Sequence, residues 1–127
     1  MMKIEKTNQK RRGMKITLFG RIPSKKNSRV TTRSGRTFPS KKYTEWHKGQ
    51  SLKLKGLGLV ENVRIVSILF FMPDNRKADL TNKAESIMDL LVDNDVIKDD
   101  SWQHIPNVLL RCEGIDRENP RAEIEIK

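Results

Sequence analysis

Residues 62–72, NVRIVSILFFM, restrict the fold of this chain more than any other segment. The run is dense in β-branched and aromatic side chains, and it ends at Pro73-Asp74-Asn75. Such a run, followed by turn residues, is typical of a central strand in a β-sheet. A central strand needs neighbouring strands and an apolar layer against it, so the rest of the chain must supply both.

The segment after this strand is the clearest helix in the sequence, residues 79–92. At about 100° per residue, one side collects the apolar residues Leu80, Ala84, Ile87, Met88 and Leu91. Another side carries Asp79, Asn82, Ser86 and Asp89, with Glu85 at its edge. We expect the apolar side to pack on the sheet and the polar side to face solvent. There, Lys83 would offset the like charges of Glu85 and Asp89.

The remaining elements follow from local patterns in a chain of 127 residues, a length typical of one domain. Alternation predicts strands at 15–22, 106–112 and 121–126, and a second helix is predicted at 43–54. The composition of residues 24–42 predicts a long basic loop with a short hairpin around Ser34-Gly35. The order indicates an α+β fold: a single domain, 14–127, with one mixed β-sheet of about four strands and two main helices packed on it. Residues 1–13 are expected to form a basic, disordered arm.

The charge of the chain favours a phosphate-rich partner. Lys and Arg number 26 against 16 Asp and Glu, a formal net charge of +10. Each cation that neutralises a phosphate of nucleic acid releases condensed counterions, although a membrane surface is a competing polyanion. No apolar run is long enough to span a membrane and no signal peptide is evident, so we expect a soluble, cytoplasmic protein. The lone Cys112 lies in the run VLLRC and is expected to be buried.

Acidic residues gather between residues 76 and 100 in this otherwise basic chain. An EF-hand counted from Asp93 fails, because its sixth position is Lys98 where glycine is required. The alternative is a site built from separated segments, with Asp79 after the central strand and Asp99 and Asp100 before the next one. Such oxygen ligands suit Mg²⁺, or Mn²⁺ as a substitute. Phosphodiester hydrolysis uses this chemistry.

Several motifs occur along the chain at defined spacing. GRIPSKKNSRV follows the first strand, and SKKYTEW enters the first helix. Asp79-Leu80-Thr81-Asn82 is followed by Asp89-Leu90-Leu91 within the helix and by the pair Asp99-Asp100. From about Ile16 to the C terminus, these motifs resemble the RusA-type Holliday junction resolvases, whose pattern is D-L-D-N, an internal D-x-L, and a D-D pair.

The resemblance implies a magnesium-dependent endodeoxyribonuclease that acts as a homodimer on four-way DNA junctions. It would resolve them by paired nicks in DNA recombination and repair. In that family the two aspartates of D-L-D-N and the second aspartate of the D-D pair bind magnesium. Asp79 and Asp100 match, but Thr81 replaces the second aspartate and Glu85 replaces a lysine. Either Thr81 becomes a helix N-cap and Glu85 restores a carboxylate, or the site has lost a ligand.

The predicted site residues combine the patterns of acidic and basic residues with this resemblance. Asp79, Asp100, Glu85 and Asn82 are the catalytic candidates, and Asp79, Asp100 and Asp99 are the metal ligands. The residues expected to bind nucleic acid are Lys25, Lys26, Arg29, Arg33, Arg36, Lys41 and Lys42. The alternative is a non-catalytic branched-DNA or nucleic-acid-binding accessory protein. Trp46, Trp102 and Tyr43 are too scattered to indicate a stacking platform for single strands.

Overall fold

Two helices and six strands make up the fold in the computed structural model, which describes residues 13–24 and 29–127. The predicted arm therefore falls outside the described residues, apart from Gly13. The elements are β1 (Met14–Phe19), β2 (Arg29–Thr31), β3 (Thr37–Pro39), α1 (Lys41–Leu54), β4 (Val66–Met72), α2 (Leu80–Asp93), β5 (Val108–Ile115) and β6 (Arg121–Ile126). The predicted α+β class is confirmed, with one mixed four-stranded sheet and two helices in a single domain.

The main sheet has the strand order β1-β6-β4-β5. β6 pairs antiparallel with both β1 and β4, so that Ile124 lies between Ile16 and Ile68. β5 instead pairs parallel with β4. Parallel neighbours need a long crossover between them, and here the crossover contains α2. α2 therefore starts beyond the C-terminal end of β4, and the chain returns after it to the N-terminal end of β5.

Period-two alternation places one face of the sheet in the core. Along β6, Ala122, Ile124 and Ile126 are buried, whereas the residues between them are only half-buried. The same face carries Val66, Ile68 and Phe70 of β4, and the helices add residues such as Leu54, Ile87 and Leu91 to the same cluster. The opposite face of the sheet is more open, as expected for a sheet with helices on one side.

The bounds of three strands differ from the prediction: β5 covers Val108–Ile115 and not residues 106–112, and the other two differ for local reasons. β1 ends at Phe19 and not at residue 22, because Gly20 adopts a φ of 94° that breaks the extended strand. β4 begins at Val66 and not at residue 62, since Asn62 has a φ of 56°. The suggested hairpin is confirmed: β2 and β3 pair antiparallel, and Gly35 turns between them with a φ of 86°. α1 starts at Lys41 because the Ser40 side chain caps it, accepting a hydrogen bond from Tyr43 N at 3.2 Å.

The prediction that the polar side of α2 faces solvent is wrong at two positions. Lys83 and Ser86 are buried, with exposed fractions of 7% and 0%. Lys83 Nζ donates a hydrogen bond to Ile22 O at 2.5 Å, and Ser86 Oγ donates one to Pro23 O at 2.8 Å. The chain after β1 therefore covers this side of the helix, and the two hydrogen bonds satisfy groups that would be costly to bury alone.

β5 forms an edge of the sheet, and its side chains are more exposed than a central strand would allow. Val108, Leu109 and Ile115 are each 47% exposed. Cys112 is also exposed, so the prediction of a buried thiol is wrong. A register shift against β4 occurs between Phe70 and Phe71, where the chain of β5 gains one residue. The apolar run VLLRC correctly predicts a strand, but it does not predict that this strand lies at the edge of the sheet.

Candidate functional site

An open pocket of about 550 Å³ lies where the chain enters α2. Residues after β1, residues after β4 and the first turns of both helices line it together. Its basic residues are Arg21, Lys42, Arg76, Lys77 and Lys83, and its acidic residues are Asp74 and Asp79. Five cations around two carboxylates favour a phosphate ligand, and an exposed carboxylate among them can also hold a cation.

Asp79 is the exposed carboxylate of this pocket. It is the N-cap residue of α2, but its side chain makes no capping hydrogen bond to the helix backbone. Asn82 Nδ2 donates to Asp79 Oδ2 at 3.3 Å, which orients the carboxylate from the first turn of the helix. Because Asp79 and not Thr81 occupies the N-cap, the interpretation of Thr81 as a cap is wrong. Thr81 is instead an exposed residue of the first turn.

Asp74 ties the two strand ends of the pocket together. Its Oδ2 accepts a hydrogen bond from Arg21 Nη2 at 2.5 Å, and its Oδ1 accepts one from Arg76 N at 3.0 Å. Both hydrogen bonds lower the pKa of Asp74, and the bond from Arg21 has the larger effect. Asp74 is therefore an anion that positions two arginines. The sequence interpretation missed all three residues, although Arg76 stands just before the D-L-T-N motif.

Lys83 lines the pocket from α2 and is buried, although the sequence predicts that it faces solvent. Burial, and then the nearby positive charge of Arg21, lower the pKa of this lysine. Its spacing of four residues from Asp79 was the available signal, because that spacing puts both residues on one side of the helix. Through Ile22 O, Lys83 holds the chain against α2 just before the basic segment that contains Lys25 and Lys26.

Asp99 and Asp100 follow the C-terminal end of α2, six and seven residues after Asp93. Hydrogen bonds from the Ser101 hydroxyl and from the Asp100 backbone lower the pKa of Asp99. His104 Nδ1 stands 4.0 Å from Asp99 Oδ2. Asp99 thus anchors the turn that follows it, whereas the neighbouring Asp100 is exposed.

The structure does not assemble the predicted metal ligands within one chain. Asp79 precedes the first turn of α2, and the segment leading to Asp100 is held at the last turns, where Val96 N donates to Leu91 O at 2.9 Å. A helix of 14 residues is about 20 Å long. Over residues 13–24 and 29–127, no three or more His, Cys, Asp or Glu side chains form a group that could hold a metal ion. The donors are the hard oxygens that Mg²⁺ prefers, and the length of α2 separates Asp79 from the segment that leads to Asp100.

Glu85 lies on a third part of α2, in a row with Asp89 and Asp93. This row faces Tyr43 of α1: burial, and then the charges of Asp89, Asp93 and Glu85, raise the pKa of Tyr43 to about 12. His47 Nε2 lies 2.8 Å from Asp93 Oδ2, so the two side chains form a hydrogen bond at the acidic C-terminal end of α2. The role of Glu85 as a replacement carboxylate stays a prediction.

Five of the seven predicted nucleic-acid-binding residues lie in the part of the chain that the structure describes. Arg29, Arg33 and Arg36 are exposed on the β2–β3 hairpin, and Lys41 and Lys42 are exposed on the first turn of α1. Of these five, Lys42 lines the pocket. Lys25 and Lys26 lie outside the described residues.

A sequence model for one protein family, described as Endodeoxyribonuclease RusA, matches residues 20–127. The match covers the pocket, both helices and the Asp99–Asp100 pair. A search of curated proteins found no match to the chain. No helix among the described residues combines the length and the apolar character needed to cross a membrane.

The lowered pKa of Lys83 predicts a pH-dependent stability. Because its folded-state pKa lies below the ordinary value of 10.5, the unfolded chain binds more protons just below that pH, and the free energy of unfolding rises with pH there. The cost of burying the charge is fully present at lower pH. The measurement is the free energy of unfolding in urea for wild type and Lys83→Met at several pH values. As pH rises towards 10.5, we expect the wild type to gain stability relative to Lys83→Met.

The matched control is Lys77→Met, which removes the same charge from an exposed position of the same pocket. A difference between wild type and Lys83→Met that stays constant with pH would contradict the prediction.

Proposed function

Because the chain belongs to the RusA family of endodeoxyribonucleases, we propose that it is a magnesium-dependent endonuclease that resolves four-way DNA junctions by paired nicks. Its role would lie in DNA recombination and repair. The observation that carries the proposal is the family match over residues 20–127, which includes a basic pocket with Asp79 exposed within it.

The charges of the pocket support binding of the DNA backbone. Arg21 and Arg76 are held by Asp74, and Lys42 and Lys77 line the same pocket. Each contact to a phosphate would release counterions and would not depend on base sequence, as suits a protein that recognises DNA shape. The exposed arginines of the β2–β3 hairpin extend the basic surface that an arm of the junction could follow.

Asp79 and Asp100 are the proposed metal ligands. Bound Mg²⁺ would supply a hydroxide nucleophile at neutral pH and stabilise the charge that develops on the phosphate. Asn82 would keep the Asp79 carboxylate oriented, since it already donates a hydrogen bond to it. Asp99 would support Asp100 by fixing the turn behind it, and would be the weaker candidate ligand.

The separation of these two carboxylates supports a dimer. Because the length of α2 separates Asp79 from the segment that contains Asp100, a single chain would hold these two proposed ligands apart. A two-fold axis can place Asp79 of one protomer beside the second carboxylate of its partner. The same axis generates two equivalent sites, which is what two nicks on opposed strands require.

The first test is cleavage of a synthetic four-way junction in the presence of Mg²⁺. Asp100→Asn should reduce paired nicking about 100-fold or more, because a metal ligand supports several kcal/mol of transition-state stabilisation. Asp95→Asn is the matched control: it removes the same charge from an exposed position five residues away and should cleave normally. Junction binding without nicking by the wild type would favour the alternative, a non-catalytic branched-DNA-binding protein.

A second test concerns Glu85. If it replaces the missing carboxylate, Glu85→Gln should lower magnesium-dependent cleavage steeply, while junction binding is kept or strengthened because a negative charge has gone. Glu118→Gln, at an exposed turn, serves as the control. Unchanged cleavage by Glu85→Gln would show that Glu85 is a solvated surface residue.

A third test asks whether each site is shared between protomers. Asp79→Asn and Asp100→Asn chains, tagged differently and produced together, should form mixed dimers with one intact site. Random pairing predicts about a quarter of wild-type nicking, since about half the dimers are mixed and each has one of two sites. The product should be single nicks and not paired ones. If mixed dimers stay inactive while both single variants still dimerise, each site is built within one chain.

A further inference from the structure

Trp102 is the most exposed large hydrophobic residue in the described part of the chain. Its exposed fraction is 74%, whereas Tyr43 is 4% exposed and Trp46 is half-buried. A tryptophan ring contributes a large apolar area, and leaving it in water gives up the stabilisation that burial would bring. Tyr43 and Trp46 pack against each other, with ring centroids 5.8 Å apart. Their rings are therefore occupied by contacts within the protein, whereas the ring of Trp102 is exposed.

The turn that presents Trp102 is well ordered by hydrogen bonds. His104 N and Ile105 N both donate to Ser101 O, at 3.0 and 2.8 Å. Ser101 Oγ lies 3.3 Å from His104 Nδ1. Ile105 is buried and anchors the end of the turn. The ring is thus presented by a fixed backbone, and a ligand that contacts it would pay little to order the segment.

The position of Trp102 links it to the proposed cleavage site. It follows Asp100 by two residues, and Asp99 anchors the same turn through Ser101. A phosphodiester bound at Asp100 would bring the bases of that strand within reach of the indole. At the branch point of a four-way junction, the terminal base pair of an arm can unstack and expose the face of a base. Aromatic side chains stack on such faces with little regard to sequence.

We propose that Trp102 stacks on a base at the branch point and so favours four-way junctions over plain duplex DNA. The inference rests on the proposed function, because it names how that site distinguishes its substrate. Trp102 would be a specificity-determining residue and would take no part in the chemistry of hydrolysis. Base stacking on one aromatic residue contributes about 5- to 150-fold in affinity.

The test measures binding of full-length protein with all divalent ions chelated, so that no cleavage occurs. The probes are a four-way junction with 2-aminopurine at the branch point and a duplex of the same arm sequence. Trp102→Leu should weaken junction binding about 5- to 150-fold and leave duplex binding nearly unchanged. Trp102→Phe, which keeps an aromatic face, should retain most of the affinity. Leu52→Ala is the control, because Leu52 is 72% exposed on α1.

Fluorescence supplies an independent readout. Junction binding should quench both the indole emission of the wild type and the 2-aminopurine at the branch point. The 2-aminopurine should keep its emission when Trp102→Leu is bound at saturation. Equal loss of affinity for junction and duplex, or an unchanged 2-aminopurine signal with the wild type, would overturn the proposal.

The oligomeric state is measured in parallel by sedimentation. If Trp102→Leu dissociates the protein into monomers, the residue lies between protomers and the stacking proposal is overturned. The nuclease proposal fails separately, through absent nicking when Mg²⁺ is restored. A protein that discriminates junctions through Trp102 but never cuts them would uphold the stacking and refute the nuclease.

Discussion

The parallel pairing of β4 with β5 is the constraint on which the rest of the structure depends. Two parallel strands cannot be joined by a tight turn, so the chain must cross the sheet between them. That crossing fixes α2 over the core face, with its N-cap at the end of β4 and its last turn near the start of β5. Asp79 and Asp100 lie near each other in the sequence, but α2 separates them in the folded chain.

The elements themselves could be predicted largely from the sequence because they depend on local periodicity. β6 was predicted with the bounds it has, and α2 differs by one residue at each end. The failures arise where one element covers another. Lys83 and Ser86 are polar residues on a polar stripe, and only the path of the chain after β1 shows that they are buried. The exposure of Cys112 similarly depends on the strand order, which no local pattern contains.

The candidate site divides in the same way. Asp79, Asn82 and Asp100 could be named because short motifs contain them. Arg21 and Asp74 could not, because their contact joins residues 53 positions apart. The spacing of Lys83 from Asp79 signals the side of the helix on which Lys83 lies, but not its contact with Ile22, 61 positions away. Such contacts form only once β1 and β4 lie in one sheet. The resulting pocket combines a motif carboxylate with cations that the fold gathers around it.

The register shift in β5 has a consequence for the behaviour of the protein in concentrated solution. In the described chain, β5 presents an unpaired strand edge with apolar side chains, a feature that invites growth by addition of further strands. The extra residue opposite Phe70–Phe71, and Gly114 with its φ of 130°, bend this edge. A straight incoming strand cannot pair along its whole length, and the Arg111–Glu113 ion pair adds charge there. The edge is thereby protected against fibrous aggregation, which requires flat strands in unbroken register.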